Sequence, residues 1–388
     1  MENLFNHKFI LFVGDHYNPL NVARSLGIKG IYSYVILVQS EGKPHMLNNC
    51  RYVKTCKIVK TMEEGLDYLL HTFGNEENKP FLYTSDDGIG SFLDLNYNAL
   101  IDLFHFFNCG EEGLLTKMMA KSTMRQLAEE CHLRVPITEL VNVGQLPKVV
   151  SYPLLTKAVI STEGNWKAKV HICRNEEELL DAYKQIGKGK IELQEYIEKD
   201  NELCLDGISL NGGEELYIPL QCKYLRMTSK SYGNYMYFEQ YKEPKLFEKM
   251  KDLFKKTHYS GIFSIEFLID KNGVFYFLEI NFRNSTWIYA NTKCGVNLPY
   301  IYAQSVLNGY LDNSSEKIEK TPFIAMNEIS DFIISIQHRQ VGLFKWIKQV
   351  RECDCLYYYD KDDPKPFYKE LKHQIKYILS KIPKKLFG

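Results

Sequence analysis

Apolar residues recur along this chain in two rhythms. Solid runs such as KFILFV (8–13), YSYVILV (32–38) and PFLYT (80–84) read as buried strands, while 20–26 and 63–72 carry helical spacing between them. Strand alternating with helix predicts a parallel sheet with crossover helices. The first loop reads GDHYNP and not G-x-G-x-x-G, so no dinucleotide site is expected there. Further along, 122–133 is helical and stops at Val135-Pro136, 151–160 and 190–197 are strands, and 176–186 is a helix between them. Short strands with turns at NGG and YGN fill 203–239, and 245–257 is a helix. A loop and helix cover 291–309, the polar stretch 311–322 reads as a linker, and a tail with its own helices runs to 388. No internal repeat is present.

One stretch departs from this pattern. SIEFLIDKNGVFYFLEINFR (264–283) holds Glu266 and Glu279 among aliphatic and aromatic residues. Asn272-Gly273 is a strong type I′ hairpin signal, because that turn needs positive φ at both central residues. A two-residue loop makes Lys271 face Val274 and therefore Glu266 face Glu279, with Cβ atoms about 5 Å apart. It also assigns Phe263, Ile265, Phe267, Ile269, Tyr276, Leu278 and Ile280 to a core face. Ser264, Glu266, Leu268, Phe275, Phe277, Glu279 and Asn281 fall on the other. Facing like charges destabilise a sheet unless a cation compensates them. Mg²⁺ takes one or two carboxylates plus phosphate oxygens, so the pair with Asn281 suits a Mg²⁺–nucleotide site. The alternative is a solvated face on which Arg283 balances the acids.

Composition narrows the class without naming a function. Apolar residues make up 45% and charged residues 25%, with 48 basic against 48 acidic side chains, so the chain is globular and no general nucleic-acid binder. Ten cysteines lie scattered with no CxxC pair, Cys353 and Cys355 lack a His at zinc-site spacing, and no run approaches a membrane span. Reduced thiols and a cytoplasmic location are the expectation. His132 and His171 have no partner spacing and read as structural. Asp86-Asp87-Gly88 follows a strand, where it fits a ligand loop or a helix N-cap equally.

GIFSIEFLIDKNGVFYFLEINFRNSTW…KCGVNLP resembles the metal-binding end of ATP-grasp enzymes. The resemblance, running over about 8–310, implies a mixed α/β and α+β fold. It comprises an N-terminal parallel α/β pre-grasp domain (1–115), a lid and entry subdomain (116–200), a C-terminal grasp subdomain with the metal site (201–310) and a C-terminal extension (311–388). It implies Glu266, Glu279 and Asn281 as ligands of Mg²⁺, with Mn²⁺ as an alternative ion, and Arg283 as the residue steadying an acyl phosphate. Lys121, fifteen residues before Pro136, resembles one phosphate lysine, and Lys157 in YPLLTKA the second. LQEYI (193–197) resembles the adenine hinge, assigning Gln194, Glu195 and Ile197 to ATP through the Glu195 C=O and Ile197 N–H. Glu202 is similar to the acid near the ribose, and Lys223 and Arg226 to phosphate or product contacts.

After Lys157 the loop STEGNWKAKV carries one glycine where relatives have several, so either its backbone N–H groups grip the phosphates less closely or Lys167 and Lys169 share that role. The implied activity is ATP-dependent ligation of a small carboxylate, such as an amino acid, to an amine. A bicarbonate-using enzyme and a non-catalytic nucleotide-binding module are the alternatives. DDPKPF (362–367) in the tail resembles that of D-aspartate-ligase-like members of the same superfamily. The final twenty residues carry six lysines, and an apolar stripe runs through 367, 371, 375, 378 and 382. Such a helix can lie on an anionic membrane, but docking on its own domain is the favoured reading. Oligomeric state is left open.

Overall fold

The structure is a computed structural model that describes residues 3–39, 45–158, 170–227 and 233–381. Its first unit is a parallel sheet of β1 (Phe9–Gly14), β2 (Ser33–Val38), β3 (Val53–Val59), β4 (Phe81–Tyr83) and β5 (His105–Phe106), in the order β3–β2–β1–β4–β5. The connecting helices are α1 (Asn18–Ile28), α2 (Met62–Phe73), α3 (Asp87–Asp94) and α4 (Tyr97–Leu100). Central β1 is buried on both faces, which is why it reads as an unbroken apolar run. Phe9, Leu11 and Val13 join the core containing Leu20 and Leu26, whereas Ile10 and Phe12 join the one containing Leu69 and Ile89. β3 was not anticipated: it is an edge strand whose VKTCKIV sets Lys54, Thr55 and Lys57 among its apolar residues with no regular alternation.

A short α5 (Leu114–Met118) and α6 (Lys121–Glu130) lead to an antiparallel sheet of β6 (Thr138–Asn142), β7 (Leu154–Ala158), β8 (His171–Cys173) and β9 (Lys190–Glu195), ordered β6–β9–β7–β8. The sheet is backed by α7 (Glu176–Ile186), whose Leu179, Ala182, Tyr183 and Ile186 meet Leu154 and Leu193.

The third unit is an eight-stranded sheet. It contains β10 (Lys199–Leu210), β11 (Glu215–Tyr217), β12 (Leu220–Met227), β13 (Gly233–Gln240), β14 (Gly261–Asp270), β15 (Phe275–Asn281), β16 (Phe323–Met326) and β17 (Cys355–Leu356). The helices α8 (Pro244–Thr257), α9 (Ile288–Lys293), α10 (Leu298–Asn308), α11 (Glu328–Gln337), α12 (Leu343–Glu352) and α13 (Lys365–Lys381) complete the chain. The polar stretch 311–322 leads straight back into this sheet, because β16 pairs with β13 and β17 with β16.

The tail is clamped to the first unit. Arg24 on α1 is fully buried; it donates to Asp363 Oδ2 at 3.0 Å and to the carbonyls of Tyr357, Tyr358 and Asp363 at 2.8–2.9 Å. The buried Glu328 carboxylate accepts the N–H groups of Tyr357, Tyr358 and Tyr359. Over the first turn of α13, Phe367 packs on the core and Lys369 reaches the His45 carbonyl, while Leu371 and Ile375 stay exposed. All ten cysteines are free thiols, and no helix among the described residues is long and apolar enough to cross a membrane.

Candidate active site

The hairpin sets Glu266 opposite Glu279, as expected, but by a different route. The loop has three residues, not two. Asp270 Oδ1 accepts the N–H groups of Asn272 and Val274 at 2.8 Å, and Gly273 alone takes positive φ, at 75°. Ile269 therefore faces Phe275, one residue out of the two-residue register. A bulge at Leu278 cancels the shift before Glu266. The expected faces of β15 are corrected accordingly: Phe275 and Phe277, not Tyr276 and Leu278, turn to the core.

On the site face, cross-strand partners form two rows. Cys222, Cys204, Glu266 and Glu279 make one; Asp206, Ser264 and Asn281 make the next. Asn281 Nδ2 lies 3.4 Å from both Glu266 Oε1 and Glu279 Oε1. Burial, then the charges of Glu279 and Glu202, push the Glu266 carboxyl up to about 8. Such a pair wants a proton or a cation. Among the described residues no three His, Cys, Asp or Glu side chains converge on one metal position. Two carboxylates and an amide oxygen suit an ion whose remaining ligands come from phosphate and water, so the donor set fits Mg²⁺ carried by a nucleotide.

The four-stranded sheet supplies positive charge. Lys157 on β7 stands opposite Glu192 of β9 and donates to Gln194 Oε1 at 2.5 Å. Burial lowers its pKa first, and Lys121 and Arg125 add to this while Glu192 and Glu279 oppose it. Lys121, at the start of α6, and Lys157 are thus within electrostatic reach of each other and of the carboxylates. Arg125, not anticipated, binds Glu192 at 2.8 Å. Glu195 ends β9: its N–H goes to the Ile137 carbonyl and its carboxylate accepts the Ile137 N–H, leaving Ile197 just beyond the ladder. Lys167 and Lys169 lie outside the described residues.

Other expected residues divide. Glu202, buried and paired with Lys199 at 2.8 Å, shares the site face with Glu266. Lys223 pairs with Leu203, out of phase with Cys204, so it leaves the opposite face and is not brought to the carboxylates. Arg226 holds Asp331 through two nitrogens, donates to Gln349 at 2.8 Å and stacks on Tyr235; it is tied to the tail and not to Glu266.

Arg283 grips Asp87 with Nε–Oδ1 at 2.7 Å and Nη2–Oδ2 at 3.2 Å, and its Nη2 also donates to Asn281 at 3.1 Å. Asp86 caps α3 through the Ile89 N–H, so the SDDG turn is both helix cap and site loop. Asp206 was missed. It is buried, with its carboxyl raised by burial, and accepts from Ser285 and Asn291 at 2.8 Å. Only its place after Leu203-Cys204-Leu205, in the largely apolar second half of β10, marked it in the sequence.

The family described as "ATP-grasp in the biosynthetic pathway with Ter operon" matches residues 193–332, the span holding β14 and β15. The fold is shared with N5-carboxyaminoimidazole synthetase from Staphylococcus aureus (TM-score 0.64, 14% identity, 86% of each chain). It is shared too with an L-amino acid ligase from Bacillus licheniformis (0.60, 16%, 81% of this chain and 78% of that one). By this partial match and the shared fold, the chain is similar to members of the ATP-grasp superfamily. The curated N5-carboxyaminoimidazole ribonucleotide synthase of S. aureus is 21% identical over 222 residues, 55% of this chain and 56% of the relative. The chain thus spans little more than half the length of the curated relatives it matches. Biotin carboxylase from Campylobacter jejuni gives a TM-score of 0.60 at 18% identity, over 80% of this chain and 73% of that one.

Proposed function

We propose that this protein is a cytoplasmic ATP-dependent ligase that activates a small carboxylate, most simply that of an amino acid, as an acyl phosphate and passes it to an amine. The observation that carries this reading is the in-register Glu266–Glu279 pair bridged by Asn281, with Lys157 facing it from the other sheet. Glu266, Glu279 and Asn281 would hold Mg²⁺, which neutralises phosphate charge when bound. Lys121 and Lys157 bind the phosphates, and the β9 end with Gln194, Glu195 and Ile197 receives the adenine. The substrate carboxylate attacks the γ-phosphorus and ADP leaves; positioning and charge stabilisation supply most of the catalysis. Arg283, held in place by Asp87, steadies the acyl phosphate and the tetrahedral oxyanion that forms when the amine attacks and phosphate departs.

The likeness to an L-amino acid ligase supports an amino-acid carboxylate, and a peptide or cell-surface glycan precursor is a fitting acceptor. The likeness to biotin carboxylase supports bicarbonate as a second reading. The test is Mg²⁺-dependent ADP release with hydroxylamine as surrogate amine, across L- and D-amino acids, other small carboxylates and bicarbonate. Release requiring one organic carboxylate is expected. Release with bicarbonate alone would favour the carboxylase. Tight ATP binding with no release under any substrate would make the chain a nucleotide-binding module.

A further inference from the structure

A cavity of about 190 Å³ lies on the seam between the parallel sheet and the eight-stranded sheet, away from the Glu266–Glu279 pair. The parallel sheet meets it at the amino ends of β4 and β5, through Lys79 and His105, whereas Asp86 and Asp87 follow the carboxyl end of β4. The facing wall is the end of β10, Ser260 just before β14, and α10 with Tyr302. Asn108 and Ser260 exchange backbone hydrogen bonds at 3.1 and 2.8 Å, which joins the two walls at one corner. Phe104, Phe106, Leu210 and Val306 supply apolar surface. An apolar cavity of about 150 Å³ holds a benzene ring, so a ligand of that order of size fits here.

The polar groups of this cavity are donors that lack an acceptor. Tyr302 is 2% exposed, and its hydroxyl meets no hydrogen-bond partner among the described residues. Tyr83 and Phe107 hold its ring edge-on, with centroids 5.9 and 5.1 Å away. Lys79 gives one of its three N–H bonds to the Ile101 carbonyl and meets no carboxylate at ion-pair distance among the described residues. Burial lowers its pKa, and Asp102, exposed and outside the lining, opposes this. Ser260 Oγ accepts the Gly212 N–H at 2.9 Å and keeps its own proton for another partner. Burial, then Lys79 and His7, press the His105 pKa down to about 4, so its imidazole is neutral and retains one N–H. The amides of Asn108 and Asn211 are already committed, the first to the Phe106 carbonyl and the second to Glu215 and the Gly309 carbonyl. Among the described residues no carboxylate lines the cavity.

We propose that this cavity is a second ligand site, separate from the candidate active site, and that it takes a small organic monocarboxylate with an apolar body. A carboxylate accepts without donating, which matches the donors of Lys79, Tyr302 and Ser260, and hydrogen bonds to an ionised acceptor are the stronger kind. The apolar body covers Phe104, Phe106, Leu210 and Val306. An ammonium would meet Lys79 as a like charge with no carboxylate to balance it, which disfavours amines and zwitterionic amino acids. Inorganic phosphate would leave the apolar wall uncovered. The site does not depend on the ligase reading.

The test is thermal unfolding of the full chain, without Mg²⁺ or ATP, titrated with benzoate, isovalerate, leucine, benzylamine and inorganic phosphate. A ligand that binds the folded chain raises the melting temperature with its concentration. Benzoate or isovalerate should give a saturable rise, leucine and phosphate should bind roughly tenfold or more weakly, and benzylamine should give no rise. Tyr302→Phe keeps the ring packing and removes only the unpartnered hydroxyl, and Lys79→Met removes the charge. Each should weaken monocarboxylate binding by roughly 10–100-fold, the value of a hydrogen bond to a charged group. Arg283→Met, which alters the candidate active site, should leave that binding unchanged. No saturable rise with either monocarboxylate, or unchanged binding in the Tyr302→Phe or Lys79→Met protein, would overturn the site. Binding lost in Arg283→Met would move the carboxylate to the candidate active site and overturn it too. Leucine or phosphate binding as tightly as benzoate would overturn the ligand class. None of these results bears on ADP release, so the ligase reading stands or falls separately.

Discussion

Glu266→Gln in the metal- and nucleotide-free protein is the sharpest perturbation of the site. Glu266 titrates at about 8, against an ordinary 4.5, because burial and then Glu279 and Glu202 disfavour its charge. A folded-state pKa raised above the unfolded value means that the stability linked to this group is intact below pH 4.5 and is lost as pH rises through 8. A shift from 4.5 to about 8, at about 1.36 kcal/mol per unit, amounts to about 5 kcal/mol. The side chain keeps some contact with solvent, and about 3 kcal/mol is the working figure. Gln does not titrate. The variant should match the wild type near pH 5 and exceed it by about 3 kcal/mol near pH 8.5, a rise in Tm on the order of 5 °C. Thermal unfolding in EDTA at the two pH values measures this. The same variant should forfeit the stabilisation given by Mg²⁺–ATP, which in the wild type is about 2.7 kcal/mol at a hundred times Kd. A variant less stable than wild type at both pH values, or one still stabilised by Mg²⁺–ATP, would refute the reading of Glu266 as a strained metal ligand.

Glu279→Gln should abolish turnover with the fold intact; near-normal rates in the hydroxylamine assay would sink the metal assignment. Lys157→Met should lower turnover by about 100-fold or more, the usual loss when a positioned charge is removed from phosphoryl transfer. Its melting temperature should hold or rise, because burial and the neighbouring cations already disfavour the lysine's charge; turnover within fivefold of wild type speaks against a phosphate role (about 1 kcal/mol). Arg24→Met strands buried Asp363 and three backbone carbonyls, and should cost about 3–5 kcal/mol in urea unfolding. A cost below about 1 kcal/mol would mean that the tail is held elsewhere.

The strands, the helix stripes and the facing acids were legible because each depends on neighbours two to four residues away. Period-two alternation, 3.6-residue spacing and turn chemistry are local properties. Even the hairpin shows the limit: Asp270 captured two backbone N–H groups and lengthened the loop, and only the Leu278 bulge restored the pairing of Glu266 with Glu279. The partners of the acids came from elsewhere in the chain. Asp87 meets Arg283 across 196 residues, Ser285 meets Asp206 across 79, and Arg24 meets Asp363 across 339. Lys223 and Arg226 carried suitable chemistry in the sequence, yet strand phase turned one away and Asp331 claimed the other. By itself the sequence determined which strand pair carries the charge. Which distant groups balance, aim or ignore that charge was decided by the packing of the three units, because hydrogen bonds between remote residues leave no periodic trace.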